Sequence, residues 1–258
     1  MNGAAIEFRD VIVDATPSRK NSGEGVVILN GISLRLEAGT TTALLGRSGS
    51  GKTTLLRTIN GLVAPTSGAV LVNGEVVGSA DLLALRRRIG YVIQEIGLYP
   101  HLTIERNVAM PLELAGKPLT ERLSRAHELL AMTGLDPAKF AERMPWQLSG
   151  GQRQRAGVAR ALAADPAILL LDEPFGALDP LTRVEIQTML RDLLKKLQKT
   201  AVIVTHDLQE AVFLADRILL LDKGNIVADL PSGDVLHSQI PAVKQYVAAV
   251  QRFPEAQS

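Results

Sequence analysis

Short runs in the first quarter of the chain alternate apolar and polar residues, as is typical of antiparallel strands with one solvent-facing side. Such runs cover residues 5–13, 26–29 and 32–37. The polar, glycine-containing stretch 16–25 predicts an exposed hairpin loop between the first two. The run 42–45 does not alternate, which predicts a buried strand, and it leads through a glycine-rich turn into an apolar helix from about residue 52 to residue 59.

The middle of the chain changes to helix-forming sequence from about residue 98 to residue 164. Within it, residues 120–130 place apolar side chains at helical spacing, which predicts a helical subdomain. Two short apolar runs without alternation follow, at 167–171 and 201–205, with a helical stretch at 181–197 between them. Buried parallel strands joined by a crossover helix are the simplest account of this order.

The end of the chain predicts a hairpin and a terminal helix. Residues 217–221 and 225–229 are strand-like and flank a turn at Lys223 and Gly224. The tail from residue 235 to residue 250 has helical character. Each motif described below occurs once, so the chain has no internal repeat of its candidate site.

Composition narrows the class of protein. The chain has 258 residues, 46% of them hydrophobic, and a net charge of +1, which excludes a disordered chain. The absence of cysteine removes disulfides, thiol catalysis and thiolate metal sites. No run reaches the roughly 18 apolar residues of a membrane span, and no secretory signal precedes the first strand, so we expect a cytosolic protein. The balanced charge gives no sign of a nucleic acid partner.

A phosphate-binding loop is the first strong chemical signal. Residues 46–53 fit the pattern G-x-x-x-x-G-K-[ST] in full, between a predicted strand and a predicted helix. Glycines there let backbone N–H groups surround an anion, and the helix start adds its positive dipole. We expect Lys52 to reach the β- and γ-phosphates and the Thr53 hydroxyl to bind magnesium. The alternative is an ordinary glycine-rich turn. The predicted ATP contacts in this loop are Gly46, Arg47, Ser48, Gly49, Ser50, Gly51, Lys52, Thr53 and Thr54.

Two carboxylates end the buried strand at 168–171. Asp172 and Glu173 would lie at the carboxyl edge of a parallel sheet, where ligands bind in this architecture. Asp172 is placed to hold magnesium, and Glu173 to polarise a water for in-line attack on the γ-phosphate. The alternative is a pair of acids that ends a strand in a solvated turn.

A second helix start has the same chemical character. Ser149 is a predicted N-cap, and Gly150 and Gly151 expose backbone N–H groups before the helical sequence that contains Gln152. The chain has one phosphate loop for this second anion site to serve.

The order of these motifs resembles the ATP-binding-cassette (ABC) ATPases. The phosphate loop, Leu-Ser-Gly-Gly-Gln at 148–152, the strand ending in Asp172 and Glu173, and Thr205-His206-Asp207 follow one another as in that family. The resemblance implies an α/β P-loop NTPase fold, with a RecA-like parallel sheet core, an N-terminal antiparallel β subdomain and an inserted α-helical subdomain. It implies a single ABC ATPase domain over 1–258. The expected divisions are residues 1–95 with 165–230, then 96–164, and a helical tail at 231–258.

The resemblance also implies roles for single residues. Gln94 resembles the glutamine that contacts magnesium and the attacking water, so the expected metal ligands are Thr53, Gln94 and Asp172. His206 resembles the histidine that contacts the γ-phosphate, and the catalytic set is then Glu173, His206 and Gln94. From the residue types alone, His206 would be a structural histidine at a strand end with its hydrogen bonds satisfied, and Asp179 would be an acidic helix cap.

In the resembled family two cassettes pack head to tail around ATP. The residues expected to reach the ATP of the opposite copy are Ser149, Gly150, Gly151, Gln152 and Asp179, the last within the stretch 176–179. The implied ligands are ATP and Mg²⁺, and the implied first partner is a second cassette, most simply another copy of this chain.

The chain departs from the family where an aromatic residue usually stacks on adenine. Residues 11–15 contain no aromatic side chain, and neither Phe nor Tyr occurs between residues 9 and 90. An aliphatic side chain such as Val13 would leave most of the affinity to the phosphate contacts, with loose selection of the base.

The stretch 86–104 resembles the docking region of bacterial importer cassettes. There Leu98, Tyr99 and Pro100 would line the groove that receives a coupling helix of a permease, so docking is expected near residues 94–104. Similarity of residues 89–101 to osmoprotectant importers implies uptake of betaine, choline or related quaternary amines, with a substrate-binding protein as an indirect partner.

This resemblance places the chain at the cytoplasmic face of a membrane, without a span of its own. We expect no gating by ionic strength, since only a short tail follows residue 230. The alternatives are a cassette for another solute or lipid, or a soluble ABC ATPase without a membrane partner.

Overall fold

A computed structural model describes residues 3–15, 26–79, 81–94, 97–176 and 178–251, with side chains to residue 249. The predicted hairpin loop at 16–25 lies outside the described residues, as do residues 95, 96 and 177 and the tail beyond 251. The strands are β1 (Ile6–Asp14), β2 (Val27–Leu36), β3 (Thr41–Leu45), β4 (Ser67–Val72), β5 (Glu75–Val76), β6 (Ile89–Val92), β7 (Ile168–Asp172), β8 (Thr200–Thr205), β9 (Arg217–Asp222) and β10 (Asn225–Pro231).

The α-helices of the described residues are α1 (Lys52–Ile59), α2 (Leu82–Arg87), α3 (Ile104–Leu114), α4 (Leu119–Met132), α5 (Pro137–Phe140), α6 (Gly150–Leu162), α7 (Pro180–Leu197), α8 (Leu208–Leu214) and α9 (Pro241–Gln251). Short 3₁₀ helices cover Pro145–Gln147 and Ser232–His237. No helix in the described ranges is long and apolar enough to cross a membrane.

Two sheets organise the fold. A four-stranded antiparallel sheet has the order β2-β1-β4-β5, and a six-stranded sheet has the order β10-β9-β3-β8-β7-β6. In the larger sheet β9, β3, β8, β7 and β6 run parallel, and only the edge strand β10 is antiparallel to its neighbour. The helices α3 to α6 lie between β6 and β7 in the chain. This architecture confirms the predicted fold class.

The register of the large sheet determines where the site lies. Leu45 of β3 pairs with Thr205 of β8, Val204 pairs with Asp172 of β7, and Leu171 pairs with Val92 of β6. The carboxyl ends of these four strands therefore meet at one edge. The phosphate loop, His206, Glu173 and Gln94 follow directly, which is where parallel sheets bind ligands.

Burial explains why these strands carry no alternation. Every residue of β3, β7 and β8 is buried, because helices cover one face and the antiparallel sheet with α1 covers the other. Leu129 and Val158 belong to the core on the helical side, and Leu44 and Leu56 to the core on the other side.

The predicted terminal helix is wrong in its extent. The chain forms a 3₁₀ turn over Ser232–His237 and begins α9 only at Pro241, whose fixed φ suits the first position of a helix. The strands β4, β5 and β6 and the helix α2 are additional to the predicted elements.

Candidate nucleotide site

The phosphate loop joins the buried strand β3 to α1. Gly49 and Gly51 have φ of +77° and +101°, in the left-handed region that glycine adopts without a steric penalty. A Cβ at Gly51 would lie 2.8 Å from Leu29 Cδ2 and 2.9 Å from the Ile28 carbonyl oxygen, whereas a Cβ at Gly49 would meet nothing within 4 Å in the described chain. The loop thus packs against β2 on one side and is open on the other.

Lys52 lies inside the loop that precedes it. Its ammonium group donates hydrogen bonds to the carbonyl oxygens of Gly46 at 2.8 Å and Arg47 at 2.9 Å. Burial lowers the pKa of Lys52, and the nearby carboxylates of Glu173 and Asp172 oppose that shift. The ammonium group is therefore held at the centre of the loop, where it can exchange carbonyl partners for phosphate oxygens.

Asp172 is the hub of a polar network. The Thr53 hydroxyl donates to its Oδ1 at 2.8 Å, and the Tyr91 hydroxyl donates to its Oδ2 at 3.2 Å. Arg57 forms an ion pair with the same Oδ2 at 3.5 Å and donates from Nε to the Tyr91 oxygen at 3.4 Å. The two residues predicted to bind magnesium, Thr53 and Asp172, are thus adjacent, with the carboxylate fixed in orientation.

Glu173 and His206 face each other across the ends of β7 and β8. Glu173 has a φ of 46°, an uncommon backbone conformation for glutamate, and its N–H donates to the Val204 carbonyl at 3.0 Å. His206 Nδ1 lies 3.4 Å from Glu173 Oε2. Strained backbone concentrates at functional sites, and here it turns the Glu173 side chain toward His206.

A cavity of about 890 Å³ brings these residues together. Its walls comprise Ile28, Arg47, Ser48, Gly49, Ser50, Gly51, Lys52, Thr53, Thr54, Gln94, Glu173, His206 and Tyr246. Asp172 lies directly behind Thr53. The structure therefore collects the predicted loop and the three predicted catalytic side chains around one space large enough for a nucleotide.

The prediction that Val13 supports the base is wrong. Val13 is 5% exposed and belongs to the apolar core of the antiparallel sheet, so its side chain does not reach the cavity. Ile28 of the neighbouring strand lines the cavity instead. The aliphatic side chain at the cavity thus comes from β2 rather than from β1.

The second glycine-rich helix start lies outside this cavity. Ser149 caps α6: its hydroxyl accepts from the Gln152 N–H at 3.2 Å, and Gln152 Oε1 accepts from the Ser149 N–H at 3.0 Å. Asp179 caps α7 by accepting from the Thr182 N–H at 3.0 Å, and hydrogen bonding by the Thr182 side chain, followed by that of its backbone N–H, lowers the pKa of Asp179. None of the residues expected to reach an opposite copy lines the cavity of its own chain.

A groove of about 450 Å³ runs beside the end of β6, where docking was expected. Tyr99 lines it together with Tyr91, Ile93 and Met110. Leu98, expected in the same wall, packs against the helical core instead. Pro100 is exposed and is not part of the groove wall.

A buried asparagine holds the loop that carries Tyr99. Asn107 Nδ2 donates to the carbonyl oxygens of Tyr99, Leu102 and Thr103 at 3.0–3.1 Å, and its Oδ1 accepts from the Tyr99 N–H at 2.7 Å. All of its side-chain polar groups are thereby satisfied. Asn107 therefore holds the backbone of residues 99–103 in place beside the groove.

A phosphate loop at a helix start, with strand-end carboxylates beside it, defines a P-loop nucleotide-binding protein. The family model described as ABC transporter matches residues 29–176, which is more than half of the chain. This chain belongs to the ABC transporter family.

The curated relatives are transport ATP-binding proteins. The chain is 48% identical over 208 residues to the osmoprotectant import ATP-binding protein OsmV of Salmonella typhimurium, covering 81% of this chain and 54% of the relative. It is 46% identical over 214 residues to the choline transport ATP-binding protein OpuBA of Bacillus subtilis, and the match covers 83% of this chain and 56% of that relative. The chain spans about half the length of these relatives.

Among solved structures, the chain is similar to a dimeric, post-hydrolysis structure of the ATP-binding cassette MJ0796 bound to ADP and Pi. The TM-score is 0.78 at 36% identity, with 88% of this chain and 98% of that chain covered. The family and the fold of the sequence-based interpretation are thus confirmed.

Proposed function

We propose that this chain is the ATP-binding and hydrolysing subunit of a membrane importer, acting as a cassette dimer at the cytoplasmic face. One observation carries the proposal: the phosphate loop, Gln94, Glu173 and His206 line one cavity, with Asp172 hydrogen-bonded to Thr53 directly behind it. A loop for phosphates, a carboxylate for water and a histidine at the same edge are the parts that ATP hydrolysis requires.

Magnesium fits the oxygen atoms at this edge. The Thr53 hydroxyl and the Asp172 carboxylate are hard ligands 2.8 Å apart, and Gln94 lines the same cavity. No cluster of three or more acidic or histidine side chains within the described ranges forms a complete cage. Magnesium commonly shares its coordination between one or two carboxylates and substrate phosphates, and it would neutralise charge on the β- and γ-phosphates here.

The protein groups then have distinct tasks. Lys52 and the backbone N–H groups of the loop hold the β- and γ-phosphates. Glu173 accepts a proton from the attacking water, and His206 and Gln94 orient the γ-phosphate and that water. The N-terminus of α6 in the opposite copy, with Ser149, would close over the γ-phosphate. This task suits its position outside the cavity of its own chain.

Lys52→Ala tests the phosphate site. We expect the variant to lose most of its affinity for the fluorescent nucleotide mant-ATP, because the buried ammonium group of the loop is gone. Lys223→Ala, an exposed lysine at the same edge, is the control and should bind as the wild type does. Unchanged binding by Lys52→Ala contradicts the proposed phosphate site.

Glu173→Gln tests the catalytic assignment. The variant should bind ATP, lose about 10²–10⁴-fold in turnover as expected for a missing general base, and accumulate as a dimer with ATP. Size-exclusion chromatography with and without ATP measures the dimer, and Glu142→Gln, at an exposed site, is the control. Turnover at the wild-type rate would remove Glu173 from the mechanism.

The transported substrate is proposed from the relatives: a quaternary amine of the betaine or choline type. The printed names of two relatives state osmoprotectant import and choline transport. Purification of the complex from its native membrane tests this step. A multispanning subunit should co-purify, and reconstituted vesicles should take up radiolabelled choline or betaine. A complex without such a subunit favours the soluble alternative.

A further inference from the structure

The last helix of the described chain reaches the candidate catalytic edge. Val243 and Val247 of α9 are buried in the same apolar cluster as Leu208 and Ala211 of α8. Helix α8 begins two residues after His206. The apolar face of α9 is thus anchored to the element that immediately follows the histidine.

Tyr246 projects from α9 toward this edge. Its hydroxyl donates a hydrogen bond to the His206 carbonyl oxygen at 2.7 Å, a distance typical of a strong O–H···O bond. Its ring contributes to the wall of the nucleotide cavity. Burial raises the pKa of Tyr246 to about 12, so the hydroxyl keeps its proton throughout the pH range of an ATPase assay.

The peptide unit after His206 is held at both of its polar groups. Its carbonyl oxygen accepts from Tyr246, and its N–H, which belongs to Asp207, donates to Thr205 Oγ1 at 3.0 Å. Thr205 Oγ1 is itself fixed, since it donates to Glu210 Oε2 at 2.6 Å. A peptide plane tied on both edges has little freedom to rotate.

The His206 ring has little other support. Its side chain is 64% exposed, and its nearest charged group is Glu173 Oε2 at 3.4 Å. The backbone that carries His206 therefore sets the position from which its ring reaches the cavity. Of the hydrogen bonds that hold this backbone, the one from the Tyr246 hydroxyl comes from a different helix, whereas those of Thr205 and Asp207 lie within the turn between β8 and α8.

We propose that Tyr246 is a positioning residue for His206, and that through its hydroxyl group α9 controls the hydrolysis step while this hydrogen bond itself adds nothing to ATP affinity. The inference rests on the proposed role of His206 at the γ-phosphate. A shift of α9 relative to β8 would break the bond and turn the histidine, so a partner that moves this helix would change the rate of hydrolysis.

Tyr246→Phe in the full chain tests the proposal, because it removes the hydroxyl and keeps the ring. We expect kcat for ATP hydrolysis to fall about five- to twenty-fold, as for the loss of one well-placed hydrogen bond, with an unchanged Kd for mant-ATP. Thermal unfolding of each protein sets an assay temperature at which all are folded. The control is Gln245→Ala, an exposed neighbour on α9, which should retain wild-type kcat and Kd.

A double-mutant cycle that combines Tyr246→Phe with His206→Ala distinguishes the positioning role of Tyr246 from the proposed role of His206 at the γ-phosphate. If Tyr246 acts through the histidine, Tyr246→Phe has no further effect on kcat in the His206→Ala background. Independent, multiplied losses overturn the inference, as does a weaker Kd with an unchanged kcat. If His206→Ala itself keeps the wild-type rate, the assigned role of His206 fails. If His206→Ala loses activity but Tyr246→Phe keeps the wild-type rate, the positioning role of Tyr246 fails and the role of His206 stands.

Discussion

Replacing Gly151 by alanine tests how α6 is seated at its N-terminus. A Cβ on Gly151 would collide with Thr182 Cγ2 of α7 and lie 3.4 Å from Ile186 Cδ1. The backbone of Gly151 is helical, without a positive φ, so alanine is otherwise compatible with the position. The side chain of Thr182 therefore determines the cost of the substitution.

The magnitude follows from two opposing contributions. An extra methyl in a packed contact costs about 1–3 kcal/mol. Alanine in place of glycine inside a helix gains about 1 kcal/mol. We expect Gly151→Ala to lower the free energy of unfolding by about 0–2 kcal/mol in the wild type. Serine at position 182 lacks Cγ2 but keeps the hydroxyl. In a Thr182→Ser background, Gly151→Ala should therefore raise the free energy of unfolding by up to about 1 kcal/mol.

Urea unfolding of the four proteins in this cycle measures the coupling between the two positions. The expected coupling energy is about 1–3 kcal/mol, because Thr182→Ser removes the methyl group that collides with the new alanine. Gly233→Ala is the control, because a Cβ there would have no neighbour within 4 Å in the described chain. It should show no coupling to Thr182→Ser. A Gly151–Thr182 coupling below about 0.5 kcal/mol would refute the packing argument.

Three further substitutions test other contacts, each by urea unfolding. Tyr91→Phe removes a donor from the buried Asp172 carboxylate and should cost about 1 kcal/mol with an unchanged m-value; equal stability contradicts the network. Asn107→Ala removes the side-chain partner of the partly buried Tyr99 N–H and of the Leu102 carbonyl oxygen, and should cost about 2–3 kcal/mol. A hydrogen bond from Lys199 holds the pKa of Asp165 below its ordinary value of 3.8, so this carboxylate stabilises the fold above that pH. Asp165→Asn should therefore lower stability at pH 7 and reduce the loss on acidification to about pH 3; an unchanged acid profile contradicts the assignment.

The positions of the phosphate loop and of the strand-end carboxylates could be assigned from the sequence because the residues of each motif are close together in the chain. Gly46 to Thr53 and the pair Asp172 and Glu173 each lie within one turn or one strand end, so a local pattern specifies them. The order of the strands places them at one edge. The parallel runs could be assigned because burial on both faces removes alternation.

The missed contacts join residues that are far apart in the chain. Tyr91 meets Asp172 across 81 positions and Tyr246 meets His206 across 40, and a lone tyrosine carries no local sign of either contact. The error at Val13 has a different cause. Strand β1 has register irregularities between Phe8 and Asp14, and the side of a strand that faces the core cannot be read from spacing once the register shifts.

The partners of Asp172 also constrain the order in which the site can form. Thr53 lies 119 positions, Arg57 115 positions and Tyr91 81 positions before the carboxylate in the chain. During synthesis the phosphate loop and α1 emerge long before β7, so the carboxylate side of the site is missing until the later strand arrives. Contacts of such long sequence separation form slowly because the loops they close are entropically costly. Nucleotide affinity at the proposed site is thus a readout of folding across most of the chain, and ATP bound there would stabilise the folded protein by an amount that rises with the logarithm of the ATP concentration above Kd.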